Sequence, residues 1–419
     1  MKIKKNKLIL LIVVLFSTRF FYLLPAYFFK SYISCENISV GIAFLWGIAT
    51  LFSYRRYKIR YKYWGLIWYI LFLTFTSAFQ GASLYSGQSI ISGLTLQKQF
   101  LCAVFLYFPI TKEIKLNRMS FQDIVDICFW CSCAHMFVYF VQYCVGSSHM
   151  FLSCYYTTPA MDSRVIRLRL YGSCYTVSFS LIFVLNELLS DIKIGKVKNM
   201  LFVIAATAFN FVILQGRSNI VGTVAVILAT IILKRKTNNK KYIITLVAFF
   251  AICYIWDSGY LQAIINEYIT TTGDAHSTIA ARVRSQEYYM SILNEHPVFG
   301  GGYVDSSVPN AALLSGYTQG FYIGDNGIYG FLFRYGLSGL LWVIPMFISF
   351  VYNGLRMRMH GSVVVLTKLL LILVGIINSA SWFDGFGVFY TILFMIYIDT
   401  FEGERNNGNS TNSAYSYIQ

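Results

Sequence analysis

Arginines that stand apart from the lysine-rich loops are the residues of this sequence best suited to chemistry. Among them are Arg169, Arg217, Arg282 and Arg284. A guanidinium group offers a planar fork of N–H donors that holds phosphate at two points and keeps its charge at any physiological pH. The set therefore predicts a phosphate or diphosphate site. Taken singly, each arginine fits a lipid headgroup or a neighbouring carboxylate equally well.

Three carboxylates and a histidine in the same part of the chain are candidates to take a proton from a hydroxyl nucleophile. They are Asp325, Glu295, Glu287 and His296. Two of them have a structural alternative: Asp325 would cap a following helix, and His296 would shape a turn with the proline after it. We favour Asp325 as the general base.

Three consecutive glycines, Gly300, Gly301 and Gly302, permit a tight turn and a close approach of the backbone to another group. An ordinary flexible loop is an equally good interpretation. No metal or cofactor is predicted, because Cys128, Cys131 and the nearby Cys133 have no ligand spacing and fit small core residues instead.

The composition of the chain indicates that membrane-spanning elements position these residues. It has 419 residues, of which 57% are hydrophobic and 12% charged, whereas soluble domains carry about 25% charged residues. Unbroken apolar runs such as 8–16 and 220–233 lack the alternation of a barrel strand. The sequence therefore predicts an all-α polytopic membrane protein. The net charge of +16 then reflects basic cytoplasmic loops rather than nucleic-acid binding.

The apolar runs and basic loops predict about twelve transmembrane helices. We expect nine of them, joined by short loops, in 1–256, a large periplasmic or extracellular loop at 257–325, three more in 326–401, and a disordered cytoplasmic tail at 402–419. One of the short outer loops is the Gly/Ser-rich stretch 81–97. About two thirds of the 34 lysines and arginines then lie in the cytoplasm, as the positive-inside rule requires, with both termini inside.

The motifs within residues 160–345 resemble those of the O-antigen polymerase and ligase superfamily. The long outer loop of that family carries an arginine, an hPxxGxG turn and a polar (H/D)N step into the next span. The matching residues here are Arg282, 296–302 and 325–326. Upstream, 167–172 is similar to the RxxG motif that precedes a span of the family, and 215–218 is similar to its short SR turn.

The resemblance implies a metal-independent, cofactor-free membrane glycosyltransferase of the GT-C type that uses undecaprenyl-diphosphate sugars in the bacterial inner membrane. It gives Arg169, Arg217 and Arg282 the role of binding the substrate diphosphates, with Arg284 as a second choice. Asp325 stands where ligases of the family commonly have histidine, which favours a Wzy-type polymerase of O-antigen or capsule, working with a chain-length regulator.

Two other functions remain open on the sequence. One is an O-antigen ligase, which would join finished glycan to a lipid A core. The other is a flippase or transporter of lipid-linked oligosaccharide, for which internal repeats and polar groups near mid-membrane are typical. No half-to-half repeat is evident in this chain, and its charges outside the basic loops cluster toward the predicted outer side.

Overall fold

The computed structural model is almost entirely helical. It describes residues 5–17, 32–53, 59–152, 156–158, 160–161, 168–172, 175–190, 195–234, 278–378, 383 and 386–406. The α-helices within these residues are α1 Lys5–Ser17, α2 Tyr32–Phe52, α3 Trp64–Leu84, α4 Ile90–Leu96, α5 Lys98–Lys115, α6 Phe121–Val145, α7 Tyr175–Leu188, α8 Lys196–Ala208, α9 Arg217–Leu233, α10 Thr278–Glu295, α11 Pro309–Leu314, α12 Gly327–Tyr335, α13 Leu340–Met359, α14 Val364–Asn378 and α15 Phe386–Asn406.

Four segments of the described chain are helices long and apolar enough to cross a bilayer, which takes roughly 20 residues. They are Trp64–Leu84, Phe121–Val145, Lys196–Leu214 and Leu337–Met359. Shorter apolar helices are found in α1, α2, α7, α9, α14 and α15. The chain is therefore an all-α protein with several helices capable of spanning a membrane.

A broken helix stands where the sequence predicted a Gly/Ser-rich loop at 81–97. α3 continues to Leu84, and α4 covers most of the second half of the stretch. The Ser89 side chain caps α4 by accepting a hydrogen bond from the backbone N–H of Ser92. α4 then meets α5 at a bend of 64°, and the two together are long and apolar enough for one membrane span. The loop prediction was wrong here because the serine acts as a helix cap rather than as a turn residue.

The buried helix α5 forms the centre of the core. Most of its side chains are buried, and it packs against α2, α3 and α15. At its C-terminal end Lys115 Nζ lies 2.5 Å from Asp399 Oδ1 of α15, and the Tyr107 hydroxyl donates to Asp399 Oδ2 at 2.6 Å. The buried carboxylate therefore has both a cation and a hydroxyl donor, which a charge in the core requires.

Irregular structure interrupts the helices beside Arg169. The strands β1 Tyr156–Thr157 and β2 Arg169–Leu170 pair antiparallel. α8 continues as a π-helical turn, Phe209–Leu214, and ends at Gln215 in the left-handed conformation with φ 47°. Such π-turns often occur at functional sites, and this one lies against β2.

The predicted outer loop at 257–325 contains secondary structure of its own. Its first part, 257–277, lies outside the described residues. The remainder consists of α10, α11 and two short 3-10 turns, Tyr317–Gln319 and Ile323–Asp325. α15 runs to Asn406, so the helix extends five residues into the predicted tail at 402–419, and 407–419 lie outside the described residues.

Candidate functional site

Two contacts to neighbouring groups hold the guanidinium of Arg169. Its Nε donates a hydrogen bond of 3.1 Å to the carbonyl oxygen of Leu214. The guanidinium carbon also lies 4.4 Å from the centre of the Tyr171 ring, in a cation–π contact. Arg169 itself is half-buried. The fork is therefore held in one orientation, which reduces the entropy lost when an anion binds.

The turn before Arg217 is tied to the same strand. Gln215 donates from its side-chain amide to the carbonyl oxygens of Leu168 at 3.1 Å and Val212 at 2.7 Å. Arg217 is the first residue of α9, and its side chain lies outside the described residues. The structure therefore brings two of the predicted diphosphate-binding positions onto adjoining segments, although 48 positions separate them in the sequence. We call Arg169 with the turn 215–217 the first arginine site.

Arg282 and Arg284 lie near the start of α10, and both side chains are exposed. Two positions along a helix differ by about 200° in direction, so the two guanidinium groups leave different faces. The next residue, Ser285, is buried, and its hydroxyl lies 2.8 Å from both the carbonyl oxygen of Arg282 and Asn326 Oδ1. This serine fixes the arginine-bearing turn to the chain around Asp325.

Asp325 is exposed at the end of the short 3-10 turn that precedes α12. The N-cap position of α12 belongs to Asn326, whose side chain makes no capping bond. It instead accepts from Ser285 and donates to the carbonyl oxygen of Tyr322 at 2.8 Å. The structure therefore places Asp325 beside the start of α10. We call Asp325 with Arg282 and Arg284 the second arginine site.

Glu295 and His296 do not share this position. Glu295 ends α10 and is exposed, ten residues beyond Ser285 and hence about 15 Å along the helix axis. His296 is half-buried. Its carbonyl oxygen accepts from the N–H of Gly300 at 2.8 Å, so its backbone forms part of a turn. Asp325, Glu295 and His296 therefore do not form one cluster, and of these three Asp325 is next to the arginines. Glu287 is exposed on α10, three positions beyond Arg284.

The three glycines form a turn packed between helices. Gly300 and Gly302 adopt positive φ angles of 67° and 74°. The N–H of Gly301 donates to the carbonyl oxygen of Phe333 at 2.6 Å, and that of Tyr303 donates to the carbonyl oxygen of Ser77 at 3.0 Å. A Cβ on Gly300 would lie 2.3 Å from the carbonyl oxygen of Phe333. The glycines are therefore required for close contact with α3 and α12.

A buried arginine that no motif singles out lies beneath this turn. The guanidinium carbon of Arg334 is 4.7 Å from the centre of the Tyr303 ring. Tyr289 is buried nearby, and burial raises the pKa of its phenol, opposed by the positive charge of Arg334. Arg334 is the eighth residue of α12, and its place outside the lysine-rich loops is the sequence signal that could have marked it.

Lys368, Cys128 and Cys131, which lie outside these two sites, are buried in the core. Lys368, a lysine within an apolar helix, is buried and lies 5.6 Å over the ring of Phe394. Within the described residues, no three histidine, cysteine or acidic side chains are grouped so that they could hold a metal ion. Cys128 and Cys131 are buried in α6 among core residues.

Comparison with known proteins gives no relative to argue from: no protein-family model and no curated protein matches this sequence. The function is therefore inferred from the residues themselves. Two groups of arginines are built on separate elements, the first on β2 and the turn 215–217, the second on the start of α10. The exposed carboxylate of Asp325 adjoins the second group.

Proposed function

We propose that this protein is a bacterial plasma-membrane polysaccharide polymerase of the Wzy type. It would transfer a growing glycan from undecaprenyl diphosphate onto the non-reducing end of an incoming lipid-linked repeat unit. In this proposal the chain has about twelve spans, with both termini in the cytoplasm and residues 257–325 at the outer face. The observation that carries it is the hydrogen bond between Ser285 and Asn326, because that bond joins Asp325 to the arginine-bearing turn of α10.

The proposed reaction forms one bond and breaks one. The acceptor hydroxyl oxygen attacks the anomeric carbon of the growing glycan, and the bond from that carbon to the diphosphate oxygen breaks. The departing diphosphate keeps the electron pair, and arginines stabilise its charge without proton transfer. The hydroxyl proton passes to the Asp325 carboxylate, which is exposed and therefore reachable by a sugar. The products are a glycan longer by one repeat unit and free undecaprenyl diphosphate.

Substitution of Arg282 tests the function. We expect Arg282→Ala to abolish polymer, with single repeat units remaining on the carrier lipid, as seen by gel electrophoresis of surface glycan and by lipid extraction. Asn294→Ala is the matched control, because Asn294 is exposed on the same helix but lies at the end away from Asp325. Both variants should reach equal levels in the membrane.

The pattern of accumulated lipid separates the other functions. Loss of a ligase leaves long polymer on the carrier lipid, and loss of a flippase leaves repeat units at the inner face only. Normal polymer lengths in Arg282→Ala, at normal protein level, would count against the polymerase.

A further inference from the structure

An apolar groove of about 530 Å³ runs between α6 and the helix formed by α8 with its π-helical turn. Aromatic side chains make up much of its lining: Phe129, Trp130, Phe137, Phe140, Phe202 and Phe209. The remaining lining side chains are apolar apart from Cys133 and Lys198. Cavities of this volume are typical of small-molecule sites, and a lining of this kind suits a hydrocarbon.

Two pairs of rings join the helices at the base of the groove. Phe129 of α6 stacks on Phe202 at a centroid distance of 4.7 Å. Further along, the ring of Tyr139 meets Phe209 edge-on at 5.7 Å. Trp130, which also lines the groove, is more than half exposed. The groove is therefore closed beneath and open laterally, as access for a lipid chain requires.

The groove is long enough for a sizeable part of a lipid chain. Its lining extends from residue 198 to residue 213 along α8 and the π-helical turn. Fifteen helical steps correspond to about 22 Å, against about 30 Å for the hydrocarbon thickness of a bilayer. A chain lying in it would cross most of the membrane.

A cationic side chain lies at each end of the groove. Lys198 closes one end, with its Nζ 4.7 Å over the Phe129 ring. At the other end the lining stops at Ile213, and the next residue, Leu214, supplies the carbonyl oxygen that holds Arg169 Nε. The first arginine site therefore begins where the groove ends. An anionic head at that site and a chain in the groove would form one continuous ligand.

We infer that the groove holds the polyprenyl chain of a lipid-linked substrate, with its diphosphate at the first arginine site. This inference rests on the proposed function, since that function supplies a polyprenyl diphosphate. We place the diphosphate head at Arg169 rather than at Lys198, which offers a single cation without a fork. Its fork is held by a hydrogen bond and a ring contact, and a held fork binds two phosphate oxygens at once.

Photolabelling tests the inference. The probe is undecaprenyl diphosphate with a photoreactive group in the polyprenyl chain, added to the full-length protein in nanodiscs of phosphatidylcholine. Labelled residues are mapped by mass spectrometry of peptides. We expect labels on the groove faces of α6 and α8. Unlabelled undecaprenyl diphosphate should compete for them, whereas neutral undecaprenol should compete about tenfold less, because it lacks the head for Arg169.

Filling the groove provides the matched pair of variants. Ala205 lines the groove and is exposed, so Ala205→Trp places a ring in the chain path without a clash in the core. Gly41→Trp is the control, because Gly41 is exposed on α2 and nothing lies near its Cβ position. We expect Ala205→Trp to reduce labelling about tenfold or more and the control to leave it unchanged.

Three results would overturn the inference. Labels could spread evenly over the lipid-facing helices, or they could persist in Ala205→Trp. In the third case phosphatidylglycerol would compete as well as undecaprenyl diphosphate and Lys198→Ala would abolish labelling, which identifies an ordinary phospholipid site. If Arg282→Ala also loses polymer in any of these cases, the proposed polymerase function is retained and only the binding of a polyprenyl chain in the groove is excluded. If the probe labels no part of the chain and Arg282→Ala makes normal polymer, the proposed function fails.

Discussion

Replacing Gly300 by alanine distinguishes two interpretations of the turn at 300–302, a tightly packed turn and a flexible loop. Gly300 has φ 67°, and a Cβ there would lie 2.3 Å from the carbonyl oxygen of Phe333 and 2.8 Å from the N–H nitrogen of Gly336. Both neighbours are backbone atoms, so no side chain can rotate away. The left-handed φ costs about 1–2 kcal/mol, and overpacking adds about 1–3 kcal/mol. We therefore expect a total loss of about 2–5 kcal/mol in the free energy of unfolding.

Gly320→Ala is the matched control for this experiment. Gly320 lies in the same part of the chain with φ 78°, but no atom lies within 4 Å of its Cβ position. It therefore carries the cost of the left-handed conformation without the clash. Both substitutions reduce the freedom of the unfolded chain in the same way, so that effect cancels. The difference between the variants should equal the clash, about 1–3 kcal/mol.

Unfolding in SDS, followed by tryptophan fluorescence of the purified protein, measures both variants. Equal losses in Gly300→Ala and Gly320→Ala would refute the reasoning, because the turn would then be loose enough to admit a methyl group. A third result would be informative too. If Gly300→Ala unfolds normally but makes no polymer, the glycine lies against the substrate instead of against α12.

Three further predictions follow from single contacts. Asn326→Ala and Ser285→Ala should each lower the free energy of unfolding by about 1–3 kcal/mol. The double-mutant cycle should give a coupling energy of at least about 0.5 kcal/mol, and strictly additive losses would contradict the hydrogen bond between the two side chains. Burial raises the pKa of Asp305, but hydrogen bonds from two serine hydroxyls and a backbone N–H lower it to below its ordinary value. The stability it contributes is complete above pH of about 4 and is lost as pH falls further. The difference in the free energy of unfolding between wild type and Asp305→Asn should therefore be constant from pH 5 to 8. A change of this difference within that range would show that the pKa of Asp305 is not lowered. Arg169→Lys keeps the charge but loses the fork, and we expect at least a tenfold drop in polymer formation at equal protein level; full activity with lysine would show that charge alone suffices.

Local sequence patterns predicted the long apolar helices because each is decided by a run of apolar residues, but they did not predict α4 or α10. The bend between α4 and α5 was not predictable in that way. It depends on Gln97, which is fully buried and donates from its side-chain amide to the carbonyl oxygens of Thr74 and Gly93, both at 3.2 Å. A glutamine between two apolar stretches gives no sign that it will bond to a helix 23 positions earlier.

In the candidate site too, residue types could be predicted from the sequence, whereas long-range contacts could not. Residue type and the family resemblance together selected Arg169, Arg217 and Arg282 from the sequence, because a guanidinium suits a phosphate. Their grouping depends on long-range contacts that have no local pattern: Arg169 to the carbonyl oxygen of Leu214, and Asn326 to Ser285. The sequence offered Asp325 as the cap of the following helix. Asn326 occupies the N-cap position instead, and the packing of α10 against α12 gives its side chain a different partner.

The two arginine sites suggest which substrate each would hold in the proposed reaction. The base must reach the hydroxyl that attacks the anomeric carbon, and the donor diphosphate is attached to that same carbon. The donor head should therefore lie beside Asp325, at Arg282 and Arg284. The acceptor reacts at the sugar farthest from its own carrier, so its diphosphate needs a cationic group apart from the base. Arg169 supplies one on a different element, above the apolar groove. When initial rates are measured over a range of acceptor concentrations, loss of Arg169 should raise the KM for acceptor. Loss of Arg282 should lower kcat.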